Sequence, residues 1–470
     1  MFGVKVVTGA AATVLLLACA GPMPALAETM EGALIRAYQD NPQLNAQRAQ
    51  VRSTDENVPQ ALSGYRPKVS LTATGGTQYT ESTSVLGANA VGGGTARLTS
   101  RAEQAPHSVG ITATQTLYNG QVTANTVRAQ ESTVSSAREA LRVLEESVLL
   151  SAATVYMDYL RDDATVEVNK SNVRVLEQTL KQTRDRFNVG EVTRTDVAQS
   201  EAQLAAGKTQ ELASESNLTT TRANYRRIIG NEPQNLAPAS PVDRFHPPSL
   251  PAAVEVSLIE NPNVTAAMYG VDINFLNVKI KEGALLPTVS LQVSAQQANE
   301  PQLTIQKQFT ASAIAQVTVP IYQGGAEYSL IRQSKETLAQ QRLTLDTTRD
   351  QTRAGIVQAW GQLVANKAQV VSAQSQVTAS EIALNGVREE AKAGQRTTLD
   401  VLNAQQTLVN ARIALVTAQH DRIVSSYTVL SAVGRLSPQV LGLATAVYDP
   451  SVHYQQVRDS WFGVRTPDGR

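Results

Sequence analysis

An eleven-residue stretch that occurs twice restricts the fold of this chain more than any other feature. Phe187, Asn188, Val189, Gly190, Glu191, Val192, Thr193, Arg194, Thr195, Asp196 and Val197 return as Ala391, Lys392, Ala393, Gly394, Gln395, Arg396, Thr397, Thr398, Leu399, Asp400 and Val401. The glycines and the aspartates both lie 204 positions apart (394 − 190 and 400 − 196), so no residue is gained or lost between the copies. Each copy breaks a Gln-, Ala-, Glu- and Arg-rich pattern with a glycine that can take positive φ. The pattern then restarts behind threonines and an acid suited to a helix N-terminus. Each is expected to be the tip of a helical hairpin, one turn holding Val189, Gly190 and Thr193, the other Gly394 and Thr397.

The helices leading to these tips are long. From Gln121 to Phe187 is 67 residues, about 100 Å at roughly 1.5 Å per residue, more than a globular domain uses. Apolar residues recur every seven positions at Val127, Val134, Leu141, Val148 and Val155, skip eleven to Val166, and resume at Val173, Leu180 and Phe187. The second copy has Ile331, Leu338 and Leu345, weaker Thr352 and Ala359, then Val370, Val377, Leu384 and Ala391. Seven-residue spacing imposes left-handed supercoiling, and four extra residues unwind it locally. A helical tube whose twist changes about halfway along is therefore expected. The return helices, with Val197, Leu204, Leu218, Tyr225 and Val401, Leu408, Leu415, Val429, are about 35 residues long and cover half of each descending helix. Shorter helices ahead of each strand pair are left to cover the rest.

Those shorter helices are marked by Asn41-Pro42 and Asn261-Pro262, 220 positions apart (261 − 41). Each pair ends one helix and starts the next, because proline is tolerated in a first turn. Tyr65-Arg66-Pro67 and Leu285-Leu286-Pro287 keep the same offset, and beyond each proline the pattern changes to alternation. Val69, Leu71 and Ala73 alternate with Ser70, Thr72 and Thr74, and Val109, Ile111 and Ala113 with Gly110, Thr112 and Thr114. The second half repeats this from Val289 to Ser294 and from Ala311 to Val319. Period two marks strands with one apolar and one polar face, expected over about 68–80, 108–118, 288–297 and 309–320. The connections from Gly75 to His107, with Gly92, Gly93 and Gly94, and from Ala298 to Gln308 read as external loops.

Ordinary hairpins on a soluble core are the commoner setting for such strands. Three features favour a membrane instead: length enough to cross a tilted bilayer, a hydrophilic face without bulk, and Tyr118 and Tyr322 at interfacial positions. Four strands cannot close a barrel, whose minimum is about eight, and open edges are not tolerated in lipid. Several chains must share one barrel, and three would supply about twelve strands.

At the N-terminus, Lys5 precedes an apolar run from Val6 to Cys19, and Ala25-Leu26-Ala27 forms a cleavage site ahead of Glu28. Residues 1–27 are expected to be a secretory signal, with lipidation of Cys19 as the competing processing. Cleavage after Ala27 would remove the chain's single cysteine and exclude disulfides. No other apolar run approaches the roughly 18 residues of a spanning helix, so membrane insertion must use strands. A net charge of zero gives no reason to expect nucleic acid. With 42% hydrophobic but 4% aromatic residues, Val, Leu and Ala must pack along helical seams. His107, His246, His420 and His453 form no ligand spacing, and no phosphate loop or nucleophile motif is present, so neither catalysis nor a cofactor is expected.

Taken together and in order, the tandem halves, the Asn-Pro pairs, the proline before each strand pair, Tyr118-Asn119-Gly120, Tyr322-Gln323-Gly324 and both glycine tips resemble the TolC family of outer-membrane channel proteins. The resemblance covers residues 28–440. It implies a mainly α fold with a membrane β-barrel: a homotrimer with a twelve-stranded barrel in outer-membrane lipid, standing on a periplasmic α-helical tunnel. It also implies a passive exit duct for type I protein secretion or multidrug efflux. A periplasmic adaptor and an inner-membrane transporter, of ABC or RND type, would dock at the tips and open it. The first repeat with its linker would span 28–251, the second 252–440, and a partly disordered tail 441–470.

By the same resemblance, Asp400 would ring the pore constriction and Arg396 would be the gate cation, paired with Asp196. Asn403 stands where a second ring aspartate is often found, and Ala391 where a latching tyrosine can occur. From the residues alone, Asp196 and Asp400 also suit a plain helix N-terminus. The competing overall reading is a soluble periplasmic coiled-coil scaffold or adaptor.

Overall fold

The computed structural model describes residues 28–86, 96–302, 304–467 and 469. The expected signal segment, Cys19 and the triple glycine Gly92–Gly94 lie outside the described residues.

Three short helices open the described chain: α1 (Met30–Asp40), α2 (Pro42–Asp55) and α3 (Asn57–Leu62). Asn41 ends α1 and caps α2, its side chain accepting from the backbone N–H of Gln43 and Leu44 with Pro42 at the first helical position. Strands β1 (Lys68–Gly75), β2 (Gln78–Leu86), β3 (Ala96–Gln104) and β4 (His107–Asn119) follow. The first hairpin is α4 (Val122–Asn188) and α5 (Arg194–Ile229). The second half comprises α6 (Leu250–Glu260), α7 (Pro262–Gly283), β5 (Thr288–Gln302), β6 (Ile305–Thr318) and the hairpin α8 (Ala326–Lys392), α9 (Thr398–Val433). Both descending helices have 67 residues and both returns have 36.

The seven-residue seam is buried as its spacing predicts: Val127, Val134, Leu141, Val148, Val155, Val166, Val173 and Leu180 face inward on α4, as do Ile331, Leu338, Ala359, Val377 and Leu384 on α8. Phe187, at the tip, is exposed. Helix α5 packs on α4 and α9 on α8, while α1, α2 and α7 also pack on α4. The main core gathers at the level of the helix break, around Tyr38, Leu149, Tyr156, Tyr225 and Leu430. The stretch 231–251, expected as a linker, crosses this core. Tyr156 Oη donates to the carbonyls of Ala237 (2.6 Å) and Glu28 (2.8 Å), and Val242 N–H donates to Ser426 Oγ (3.2 Å).

The four-stranded sheet has the order β1-β4-β5-β6, all antiparallel. Its register keeps one face mainly apolar: Leu71 pairs with Ile111, Ile111 with Ala295, and Ala295 with Ala311, with Gln115 and Gln297 toward its two ends. Serines and threonines share the other face, where Thr74 meets Ser108 (2.8 Å) and Ser294 meets Ser312 (2.9 Å). A bulge between Thr116 and Tyr118 sets Tyr118, rather than Leu117, opposite Val289 on the apolar side.

Three expectations are corrected. The connection between Gly75 and His107 is not simply a loop: β2 and β3 form a separate two-stranded ribbon, held by Arg101 to Glu81 (3.1 Å) and Thr83 to Thr99 (3.0 Å) across the strands. Its few large apolar residues, Tyr79, Val85 and Leu98 among them, are too scattered to set up a period of two, so no apolar alternation announced it. Residues 298–308 are mostly strand, β5 reaching Gln302 and β6 starting at Ile305. The tail, expected to be partly disordered, forms α10 (Pro438–Leu441) and α11 (Pro450–Val457) and packs on the first half. Leu441, Leu443 and Val457 are buried, and His453 Nδ1 lies 2.9 Å from the fully buried carboxylate of Asp55.

Candidate gate at the hairpin tips

Each tip is built by the same backbone bonds. Gly190 (φ +81°) and Gly394 (φ +76°) take the left-handed conformation. Glu191 N–H then reaches back to the Arg186 carbonyl and Gln395 N–H to that of Glu390, both at 2.9 Å. A capping box starts each return helix: Thr193 N–H and hydroxyl donate to Asp196 Oδ2 (2.9 and 2.7 Å), and those of Thr397 donate to Asp400 Oδ2 (2.9 and 2.8 Å). The Thr193 hydroxyl and backbone hold the Asp196 carboxyl below the usual carboxylate range, and the Thr397 backbone and hydroxyl do the same for Asp400. Both acids stay charged. Both bonds fall on one oxygen of each carboxylate, so the cap positions the charge without neutralising it.

Arg396 does not pair with Asp196 in this chain. Its Nε donates to Glu390 Oε2 at 2.8 Å, because Glu390 lies across the same turn whereas Asp196 belongs to the other hairpin. The first tip carries the mirror arrangement: Arg186 on the descending helix donates to Glu191 in the turn at 3.0 Å. Glu390 is the counterpart of Arg186 at the 204-residue offset, and Arg396 stands one position beyond Gln395, the counterpart of Glu191, so the descending helix supplies the cation at one tip and the anion at the other. Aligning the two halves charge by charge would have shown this. Asn403 is exposed, and its carbonyl accepts from the Thr407 hydroxyl (2.9 Å). Val189, Gly190, Thr193, Gly394 and Thr397 are exposed at the tips.

Sequence reasoning missed the polar links between hairpins. Gln405 on α9, buried, donates to Asn172 on α4 (3.3 Å) and accepts from Arg388 on α8 (2.9 Å). Higher up, His420 on α9 reaches Asp158 on α4 through Nε2 (2.9 Å) and Asp421 through Nδ1 (2.8 Å). With carboxylates on both sides, both ring nitrogens donate and the imidazole is cationic. Burial alone would lower its pKa, but the bonds to Asp158 and Asp421 outweigh burial and raise it. The available signal was polar residues at seam positions.

The family model for outer membrane efflux proteins matches residues 34–231 and 253–435. The chain belongs to the outer membrane efflux protein family. It is a channel protein of the outer membrane with a large periplasmic part, not an enzyme. This efflux protein is 41% identical to outer membrane efflux protein BepC of Brucella suis, over 95% of this chain and 94% of that one. It is 25% identical to outer membrane protein TolC of Escherichia coli, over 89% and 85%. In fold it matches the Campylobacter jejuni CmeC outer membrane channel with a TM-score of 0.73 at 17% identity, covering 92% of this chain and 89% of that one. The open state of the Neisseria gonorrhoeae MtrE channel matches with a TM-score of 0.71 at 17% identity, covering 87% and 89%. At such identities the likeness carries the fold alone.

Proposed function

We propose that three copies of this efflux protein close one twelve-stranded barrel in the outer membrane, standing on a shared periplasmic tunnel. Together they act as the passive exit duct of a tripartite export system. The observation that carries this is the sheet itself. It has four strands, unpaired edges at β1 and β6, and an apolar face on which Leu71 and Phe309 are 73% and 72% exposed. An apolar face of that extent has no place in water, and such edges have none in lipid unless another copy pairs with them. Joining β6 of one copy to β1 of the next seals both.

The helices then extend about 100 Å from the barrel, bringing Asp400 and Arg396 to the far mouth. Three Asp400 carboxylates around the axis favour cations, as charged rings do in channel filters. The exposed turns at Gly190 and Gly394, with Val189, Thr193 and Thr397, are where a periplasmic adaptor would dock, coupling the duct to an inner-membrane ABC or RND transporter. The name BepC supports efflux; the alkaline protease secretion protein AprF of Pseudomonas aeruginosa, 23% identical over 61% of this chain, supports protein secretion.

Detergent extraction of membranes tests the reading. The expected product is a stable trimer that conducts ions in planar bilayers and co-purifies with adaptor and pump. A compact water-soluble monomer would overturn it.

A further inference from the structure

We propose that the segment Ser460–Val464 is a membrane-interface anchor, with Trp461 and Phe462 lodged in the periplasmic leaflet of the outer membrane beside the foot of the barrel. The proposal rests on the barrel reading above.

The segment's height is fixed by Arg66. Its guanidinium donates to the Ser460 carbonyl (2.5 Å) and lies 4.6 Å over the Trp461 ring. Arg66 stands two residues ahead of Lys68, where β1 begins, so the indole sits at the level where strand gives way to helix. Tyr65, Tyr118 and Tyr322 are exposed at the same junctions, and Gln115 near the end of β4 donates to the Tyr65 carbonyl (2.8 Å). Aromatic residues gather at this depth on membrane barrels because the ring suits the acyl boundary while its polar atom reaches the headgroups.

The tail changes character at this point. Up to Arg458 it is packed down, by burial of Val457, by His453 on Asp55 and by Arg458 on Glu131 (3.4 Å). Beyond it, Trp461 is 66% exposed, Phe462 95% and Val464 100%. Apolar side chains tied to this junction through Ser460 and Trp461, yet turned outward, suit a nonaqueous neighbour. The cations at this level, Arg66 and Lys68, choose which one: phosphate headgroups complement them, with acyl chains directly beyond for the rings. Fastening also explains why Arg66 stacks on the indole. The cation keeps the ring at the junction, exposed, rather than leaving it to collapse on the helices.

The chain has two tryptophans, so the test is optical. Trp360 lies midway along α8, far from the barrel. Full-length trimers carrying Trp360→Phe, which keep Trp461, and trimers carrying Trp461→Phe, which keep Trp360, are reconstituted into phosphatidylcholine vesicles brominated on the upper acyl carbons. Emission from Trp461 is expected to fall at least twofold, and emission from Trp360 to stay unchanged. If Trp360→Phe does not assemble, the difference between wild type and Trp461→Phe gives the same reading. Ion conductance is measured on the same vesicles. Normal conductance with unquenched Trp461 overturns the anchor and leaves the barrel standing, and includes the case in which a neighbouring copy covers the indole. Absence of conductance and of membrane insertion overturns the barrel reading, and the anchor falls with it.

Discussion

Gly120 and Gly283 touch backbone to backbone where β4 turns into α4 and α7 runs into β5: a Cβ on Gly283 would lie 2.6 Å from the Gly120 carbonyl oxygen. Gly120 also takes φ +65°. The two halves of the chain thus cross at a point with no room for a side chain. Gly283→Ala is expected to cost about 1–3 kcal/mol through overpacking, and Gly120→Ala a further 1–2 kcal/mol, roughly, for its left-handed backbone. Urea or thermal unfolding of the purified protein measures both.

Gly324 is the counterpart of Gly120 at the 204-residue offset and has φ +71°, but a Cβ there would meet nothing within 4 Å among the described residues of one chain beyond its own neighbours. If β6 pairs with β1 of the next copy, the residues ahead of that β1 arrive here as Gly283 arrives at Gly120. Gly324→Val is expected to leave the subunit helical by circular dichroism while abolishing the detergent-stable trimer. A trimer of undiminished stability would contradict the proposed closure.

Charge and cap can be separated at Asp400. Asp400→Asn keeps an acceptor for Thr397 and removes the charge, so cation preference in single-channel recordings is expected to fall toward unity. Asp196→Asn, the same change at the first tip, should leave it largely unchanged. Equal loss in both variants would remove Asp400 from its place at the constriction.

Glu146 is buried on α4, and burial pushes its carboxyl up to about 8, with Glu139 and Glu145 adding to the shift against Arg142. In the folded protein it therefore holds a proton that the unfolded chain has lost, from the ordinary glutamate range up to about 8. Stability falls as pH rises through that window. Glu146→Gln is expected to raise stability at neutral pH by roughly 1–3 kcal/mol and to flatten the pH dependence. Denaturation series at successive pH values check it.

His420 titrates with the same sign. Its pKa is raised in the fold, so the link from α9 to Asp158 on α4 is complete below the ordinary histidine range and is lost as pH rises through the raised value. Wild type is expected to lose more stability than His420→Gln between mildly acidic and alkaline pH. Parallel curves would refute a charged His420.

The periodic elements were legible because periodicity is a property of the local chain. Val127 to Leu180 repeat at seven and are buried; Val69, Leu71 and Ala73 alternate and share one face; Gly190 and Gly394 needed positive φ and take it. The ribbon of β2 and β3 carries little apolar signal to read. Tyr448 meets Tyr38 across 410 positions, N–H to Oη at 3.1 Å, and no local pattern foretells that.

The sequence by itself determined the two equivalent halves, the length of the rods, the tips and which face of each strand is apolar. These follow from spacing, handedness and backbone freedom. Only the tertiary structure decided who meets whom within one chain: Arg396 with Glu390, His420 with Asp158, the tail on α2, Trp461 beside Arg66. A repeat states that a face must be covered, whereas the partner that covers it is fixed by distances between residues hundreds of positions apart, which only packing sets.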